Sequence, residues 1–260
     1  MSHSLAVVIL AAGKGTRMNN PEKAKVMFEI SGKPMIDFVV RQAESLKPER
    51  IIAVVGYQKT SVIEYLNAHF PARIEFAHQD AQLGTGHAVR QTEPLLGGFG
   101  GDILILSGDV PLLQTSTLQA FAQFHADTRA TVSVLSVSAD NPAGYGRIVR
   151  DGDGAFEWIV EHKDASEQER GITEINSGIY LVRAAHLFSA LQEISNANAQ
   201  GEYYLTDIIA ILRARGERVA AWKSDAFAEV LGVNTVEQLS EAQRLASLFQ
   251  GFHTEIASVA

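Results

Sequence analysis

Leu5-Ala6-Val7-Val8-Ile9-Leu10-Ala11-Ala12-Gly13-Lys14-Gly15-Thr16-Arg17-Met18 joins an apolar run to a glycine-rich, basic turn near the start of the chain. Residues 5–10 form an unbroken apolar run that ends at two closely spaced glycines and two cations. A short apolar strand with no polar alternation is buried on both faces, which is the habit of a parallel sheet covered by helices. The same signal recurs at 51–55, 74–77, 103–106 and 131–137, with helical patterns near 35–46, 60–69, 85–93 and 114–126 between them. Alternation of this kind predicts a doubly wound, Rossmann-like α/β fold with a mostly parallel sheet. Ligands of such sheets sit beyond the carboxyl ends of the strands, so the loops after the strands are the place to search.

Further along, the rhythm changes. Residues 142–183 show shorter strands and tight-turn chemistry, including Asn141-Pro142 and Asp151-Gly152-Asp153-Gly154, with no helix predicted before Ala184. They are read as antiparallel additions at the sheet edge, forming one wall of the site. Helices return at 184–193 and 204–215, followed by a strand at 219–222. From Thr235, apolar Val236, Leu239, Leu245, Ala246 and Phe249 keep helical spacing. The expected organisation is therefore one catalytic domain, 1–234, and a C-terminal helix within 235–260.

Composition narrows the chemistry. The 260 residues contain no Cys, which removes disulfides, iron–sulfur clusters, thiolate zinc and cysteine nucleophiles. A net charge of −8 argues against broad nucleic-acid binding, which needs a basic face. The opening apolar run is too short, and lacks the basic front, of a secretory signal. No later run reaches the ~20 apolar residues of a membrane span. A soluble, cytoplasmic protein without membrane or nucleic-acid partners is expected. Yet Lys14, Arg17, Lys23, Lys25 and Lys33 face only Glu22 and Glu29 within 14–33, so that stretch carries +3. A local reversal of sign is what a polyphosphate site requires.

Known phosphate motifs fail here. Val8 stands where a P-loop needs its first glycine, and Met18 stands where a dinucleotide fingerprint needs its third. Gly13 and Gly15 can still curl the backbone so that its N–H groups face an anion. The alternative is a flexible strand-to-helix turn.

Gln79-Asp80-Ala81-Gln82-Leu83-Gly84-Thr85-Gly86-His87 follows the third strand. Its two carboxamides suit a flat ring presenting a carbonyl and an N–H, as uracil does. A helix-capping role for Thr85 is the plainer reading, and His87 reads as a helix-start residue. Asp109, in Ser107-Gly108-Asp109-Val110-Pro111, is either a Mg²⁺ ligand held on a stiff turn or a solvent-facing turn residue. Asp151-Gly152-Asp153 reads as a hairpin turn. Gly146 offers close approach, and Glu161 and Asn176 offer bonds to sugar hydroxyls or an amide; strand-end polar roles are the alternative. Asn234 is either the N-cap of the last helix or a metal ligand.

Read in order, Leu10–Met18, Gln82-Leu83-Gly84-Thr85-Gly86-His87-Ala88, Gly144-Tyr145-Gly146-Arg147-Ile148, Val160-Glu161-His162-Lys163-Asp164, Gly201-Glu202-Tyr203-Tyr204-Leu205-Thr206-Asp207 and Gly232-Val233-Asn234 resemble the sugar-1-phosphate nucleotidylyltransferases. The most specific blocks resemble the uridyltransferase half of the bifunctional N-acetylglucosamine-1-phosphate uridyltransferase/glucosamine-1-phosphate acetyltransferases. The resemblance implies a nucleotide-diphospho-sugar transferase fold and the reaction UTP + N-acetylglucosamine 1-phosphate → UDP-N-acetylglucosamine + pyrophosphate. It implies that Asp109 and Asn234 hold Mg²⁺, that Arg17 faces the triphosphate, and that Lys25 faces the phosphates at the reaction centre. Leu10, Ala11, Ala12, Gly13 and Gly15 would wrap the nucleotide, and Gln79, Gln82, Gly84 and Thr85 would hold its base. Gly146, Glu161, Asn176 and Tyr204 would line the sugar, with Thr206 nearby.

Such chemistry needs neither a covalent nucleophile nor a general base, so the lack of Cys and of any evident Ser–His pairing is no obstacle. Ala24, Ser107 and Leu231 depart from residues common in the family, namely Pro, Tyr and Glu. The bifunctional enzymes continue into a β-helix of hexapeptide repeats. No such repeat occurs before Ala260, so acetyl transfer and the associated trimer are not expected, and a monomer or weak oligomer is. Alternatives are another sugar phosphate or nucleotide, or a nucleotide-sugar-binding regulator without catalysis; a dehydrogenase is discouraged by Met18.

Overall fold

The computed structural model describes residues 4–18 and 20–248. β1 (Leu5–Ala11) leads through the glycine-rich loop to a short ribbon, β2 (Glu29–Ile30) and β3 (Lys33–Pro34). Alternation then follows: α1 (Met35–Ser45), β4 (Arg50–Val55), α2 (Lys59–His69), β5 (Ile74–His78), α3 (Thr85–Arg90), α4 (Glu93–Leu96), β6 (Asp102–Ser107), α5 (Thr115–Thr128) and β7 (Val132–Ser138). The second half comprises β8 (Arg147–Arg150), β9 (Phe156–Val160), α6 (Glu167–Arg170), β10 (Glu174–Arg183), α7 (Ala184–Leu191), α8 (Asp207–Ala214), β11 (Val219–Ser224) and α9 (Val236–Ala246). Phe249 and the rest of the predicted C-terminal helix lie outside the described residues.

The main sheet runs β11-β7-β10-β6-β1-β4-β5, with β8 paired to β10 and β9 to β8. Six strands of the main path are codirectional, and β10 runs against both its neighbours. The mostly parallel sheet with antiparallel additions is present, but the additions are not confined to an edge. β10 is inserted between β6 and β7, while β8 and β9 form a flap on it. Strand order depends on pairings between distant segments, which local patterning does not encode.

Burial on both faces shows in β1, where alternate residues enter different cores. Ala6 and Val8 join Ile52, Ile103 and Val132 under α3, α7 and α8. Val7, Ile9 and Ala11 join Ile51, Leu104 and Leu135 under α1, α2 and α5. A smaller third core packs Ala242 and Ala246 of α9 on Met18, Ile30, Met35, Phe38, Leu112 and Val233.

Two single α-helical turns, α4 and α6, escaped the sequence pattern. α6 is a capping box, in which Ser166 Oγ accepts from the Glu169 N–H and the Glu169 carboxylate accepts from the Ser166 N–H. The Ser-x-x-Glu spacing is its signature. The Asp151 turn is as expected, with Asp151 Oδ1 accepting from the N–H groups of Asp153 and Ala155.

β1 lies between β4 and β6, and after β5 the chain crosses to the other side of β1. That is a topological switch point, where the loops after neighbouring strands diverge and leave a crevice. The loops that diverge here are 12–15 and 107–110.

Candidate functional site

The crevice holds a cleft of about 250 Å³. Leu10, Ala12, Gly13, Lys25, Gln79, Gln82, Gly84, Thr85 and Asp109 all line it, so nine sequence-predicted residues converge. Val26, Ala88, Ser107 and Glu202 complete the lining and were not singled out for it. Gly108 explains how closely the two loops pack. Its N–H donates to the Leu10 carbonyl at 2.9 Å, and a Cβ there would lie 3.0 Å from that same oxygen.

Lys25 begins a single turn of 3-10 helix, Lys25–Met27. Its ammonium donates to Asp109 Oδ2 at 2.5 Å and to Asn234 Oδ1 at 3.1 Å. The Lys25 and Asp109 side chains are only 16% and 15% exposed, so water screens the pair weakly. Asn234 does not cap α9. Thr235 does, its side chain accepting from the Gln238 N–H. The Asn234 oxygen is thereby left to accept from Lys25. The Val233 N–H donates to the Asp109 carbonyl, which ties the two loops together.

Gly15 makes Lys25's position possible. It sits at φ +60°, and a Cβ on it would lie 2.7 Å from Lys25 Cβ. Arg17 projects from the turn Thr16–Met18, is exposed, and has no hydrogen-bond or ion-pair partner among the described residues. Ala11 is buried in the core beneath the site, so only its backbone is available there.

The loop after β5 is rigidly seated. Gln79 is 4% exposed and donates from Nε2 to the Gly84 carbonyl at 3.0 Å. The same nitrogen lies 3.0 Å from His87 Nδ1. Burial, then Arg90, lowers the His87 pKa against an opposing bond to the Ala81 backbone, a net shift that favours the neutral ring. His87 is thus a support for Gln79 rather than only a helix-start residue. Gln82 Nε2 donates to the Gln79 carbonyl. Thr85 is not the cap of α3; Gly84 occupies that position, and Thr85 Oγ1 accepts from the Leu205 N–H at 3.1 Å. Gly84, at φ +112°, would drive a Cβ to within 2.6 Å of the Tyr203 carbonyl. The 83–86 turn is therefore bound to the 203–205 segment.

A second hollow, about 240 Å³, is lined by Glu161, Tyr204 and Thr206 together with Asp164, Asn198 and Asp207. Thr206 donates to Glu161 Oε1, and the Tyr204 hydroxyl donates to Asp164 Oδ2. Gly146 approaches both Glu161 and Asn176. Asn176 lies at the bulge of β10, its Oδ1 accepting from the Gly178 N–H and its Nδ2 donating to Tyr180. The bulge also carries Gly178 up to Ser107, whose Oγ would lie 3.3 Å from a Cβ on that glycine. Ser107 lines the cleft, so the bulge of β10 borders it, while the second hollow has a lining of its own.

The cleft sets the Lys25 ammonium and the Gln79 and Gln82 carboxamides beside two carboxylates, Asp109 and Glu202, whereas the second hollow gathers Glu161, Asp164 and Asp207 with no cation among the described residues that line it. Burial pushes the Glu161 carboxyl up despite the Thr206 bond. Burial, aided by Asp164, pushes Asp207 up to about 6. The fold does make one Ser–His pair that the sequence did not suggest. His125 Nδ1 lies 2.8 Å from Ser133 Oγ, but both residues are buried within the core, out of reach of substrate.

Asp109 and Asn234 present two hard oxygens to a single cationic centre, a donor set that suits Mg²⁺ completed by substrate phosphate and water. Among the described residues no trio of His, Cys, Asp and Glu forms a metal cage. Among them, too, no helix is long and apolar enough to cross a membrane.

Comparison with known proteins agrees with this architecture. The chain is 49% identical over 238 residues to the Bifunctional protein GlmU of Geobacillus sp. (strain WCH70), covering 92% of this chain and 51% of that protein. It is 48% identical over 236 residues to the Bifunctional protein GlmU of Exiguobacterium sibiricum, covering 91% and 51% respectively. The chain thus spans about half the length of the curated relatives it matches. In three dimensions it is similar to UDP-glucose pyrophosphorylase complexed with UDP-glucose, with a TM-score of 0.75 and 21% identity, over 93% of this chain and 98% of that one. At that identity the likeness concerns the fold alone. The family model for Nucleotidyl transferase matches residues 6–232, from the second residue of β1 to the loop that carries Asn234, and the chain belongs to that family.

Proposed function

We propose that the chain transfers UMP from UTP to N-acetylglucosamine 1-phosphate, releasing pyrophosphate. The observation that carries this reading is the meeting of Lys25 with Asp109 and Asn234 at the switch point, beside a cleft that Gln79 and Gln82 line. The identity to the GlmU proteins, shared along nearly the whole chain, supports the choice of uridine nucleotide and N-acetylhexosamine. We assign the transferase unit to 1–234, working in the cytoplasm as a monomer or weak oligomer.

In this mechanism a phosphate oxygen of the sugar phosphate attacks the α-phosphorus of UTP. The bond from that phosphorus to its β-bridging oxygen breaks, and pyrophosphate leaves with the electron pair. The nucleophile is already an anion near pH 7, so no proton need be removed. What the protein supplies is alignment and opposing charge. Gln79 and Gln82 orient the base, and the backbone of residues 10–15 wraps the nucleotide. Arg17 meets the triphosphate, while Lys25 neutralises the reacting phosphates. Glu161, Asn176 and Tyr204, with Gly146 and Thr206, receive the sugar, whose hydroxyls and amide suit acceptors rather than cations. Asp109 and Asn234 would hold Mg²⁺, which when bound neutralises phosphate charge and draws substrate oxygens into line.

The test is pyrophosphate release from UTP, N-acetylglucosamine 1-phosphate and Mg²⁺, measured beside panels of other nucleotides and sugar phosphates. Asp109→Ala is expected to lower turnover by about 10²–10³-fold, comparable to losing a main electrostatic group, with an unchanged circular dichroism spectrum. Near-normal turnover at saturating Mg²⁺ would overturn the assignment.

A further inference from the structure

We infer that Lys25 is the built-in occupant of the metal position, so that divalent cation and lysine exchange places as the nucleotide arrives. The inference rests on the proposed role of Asp109 and Asn234 as metal ligands. Both side-chain oxygens are already committed to one ammonium, at 2.5 and 3.1 Å. At these two oxygens an ammonium and a hard dication compete, and the repulsion between two cations so close together sets them against each other.

Lys25 reaches this position from one direction. Its stem passes Gly15, where a Cβ would lie 2.7 Å away, and its Cε passes Gly13, where a Cβ would lie 3.9 Å away. The ammonium therefore lies beside the loop whose N–H groups are suited to phosphate. When a nucleotide brings phosphate charge to that loop, the lysine has a second anionic partner close at hand. A dication arriving with the nucleotide then takes the Asp109 and Asn234 oxygens. A metal arriving alone must displace the ammonium with no phosphate to receive it.

The consequence is a cleft that keeps its two ligands paired and resists metal until nucleotide is present. Cation affinity and nucleotide affinity are then linked through Lys25, and such linkage is reciprocal. Without the lysine, nucleotide-free protein must bind metal more tightly, because no charged hydrogen bond has to be broken first. A charged hydrogen bond corresponds to about a tenfold to hundredfold change in affinity.

The experiment is titration of Mn²⁺ into the 260-residue chain, following free Mn²⁺ by electron paramagnetic resonance, with and without UTP. Lys25→Met keeps the stem and removes the charge, and its fold is checked by circular dichroism. In the absence of UTP, Lys25→Met is expected to bind Mn²⁺ about tenfold to hundredfold more tightly than the parent. Adding UTP should tighten binding much more in the parent than in the variant. Asp109→Asn in the Lys25→Met background should abolish the gain, showing that the cation sits on Asp109. Equal or weaker nucleotide-free binding by Lys25→Met, with UTP-dependent Mn²⁺ binding intact in the parent, overturns the exchange while leaving the metal site standing. Absence of Asp109-dependent Mn²⁺ binding in every state overturns both.

Discussion

Asp207 opens the first turn of α8, where the positive end of a helix favours a carboxylate. Burial and the neighbouring Asp164 outweigh that benefit and push its carboxyl up to about 6. Because the folded value is raised above the unfolded one, the folded state holds this proton more strongly. Stability therefore falls as pH rises from about 3.9 towards 6, and the full cost is present above 6. Asp207→Asn is expected to raise the melting midpoint at pH 8 by about 2–4 °C, the shift that roughly 1 kcal/mol produces in a chain of this size. The difference should narrow below pH 6 and close toward pH 4. Equal midpoints at pH 8 would refute the assigned burial cost. At this scale the sequence was informative where residues of one loop gather, as Gln79, Gln82, Gly84 and Thr85 do along the cleft. It was silent on Asp164 and Asp207, and on His87 as a support for Gln79, because those relations arise only when separate loops fold together. At Asn234 the capping reading falls to its neighbour, since Thr235 took the cap.

The glycine-rich loop is the element on which the chemistry turns, and its weakest tolerance is at Gly15. A side chain there would adopt a left-handed backbone and press on Lys25 Cβ. Gly15→Ala is expected to displace the lysine by a fraction of an ångström to an ångström. Displacements of that size cost on the order of 10²-fold in rate. Turnover should fall at least tenfold, with the melting midpoint lowered only by the few degrees that about 1–2 kcal/mol of backbone strain produces, as read by pyrophosphate release beside a thermal melt. Unchanged turnover would mean that Lys25 is not held by this contact. Elements were legible in proportion to their local signal. Buried runs such as 103–106 announced parallel strands, and the helices fell near their predicted bounds. α6 was missed because a polar single turn has no apolar face, although its capping box stood in the sequence. The place of β10 could not be read, since it depends on pairing with β6 and β7, which are distant along the chain.

Across the whole molecule, the third core links the C-terminal helix to the site. Ala242 and Ala246 of α9 pack against Met18, the residue after Arg17, and against Val233, the residue before Asn234. The Asn234 N–H donates to Gln238 Oε1, and Gln243 reaches back to the Glu29 carbonyl on β2. The stretch 14–33, whose +3 charge stood out against −8, is thus clasped from behind by an element more than 200 residues away. A small satellite core of this kind opens at lower free energy than the sheet, so it can loosen alone. Ala242→Glu places a carboxylate in a site with no space or partner for it. Hydrogen exchange of the 236–246 amides is expected to accelerate while that of β1, β4 and β6 stays slow. Turnover should fall about tenfold or more with it, because Asn234 and the arginine turn lose their common support. If α9 exchanges freely and turnover is unchanged, the helix is packing without positioning, and the site is held by the Lys25–Asp109 pair and the switch-point loops alone.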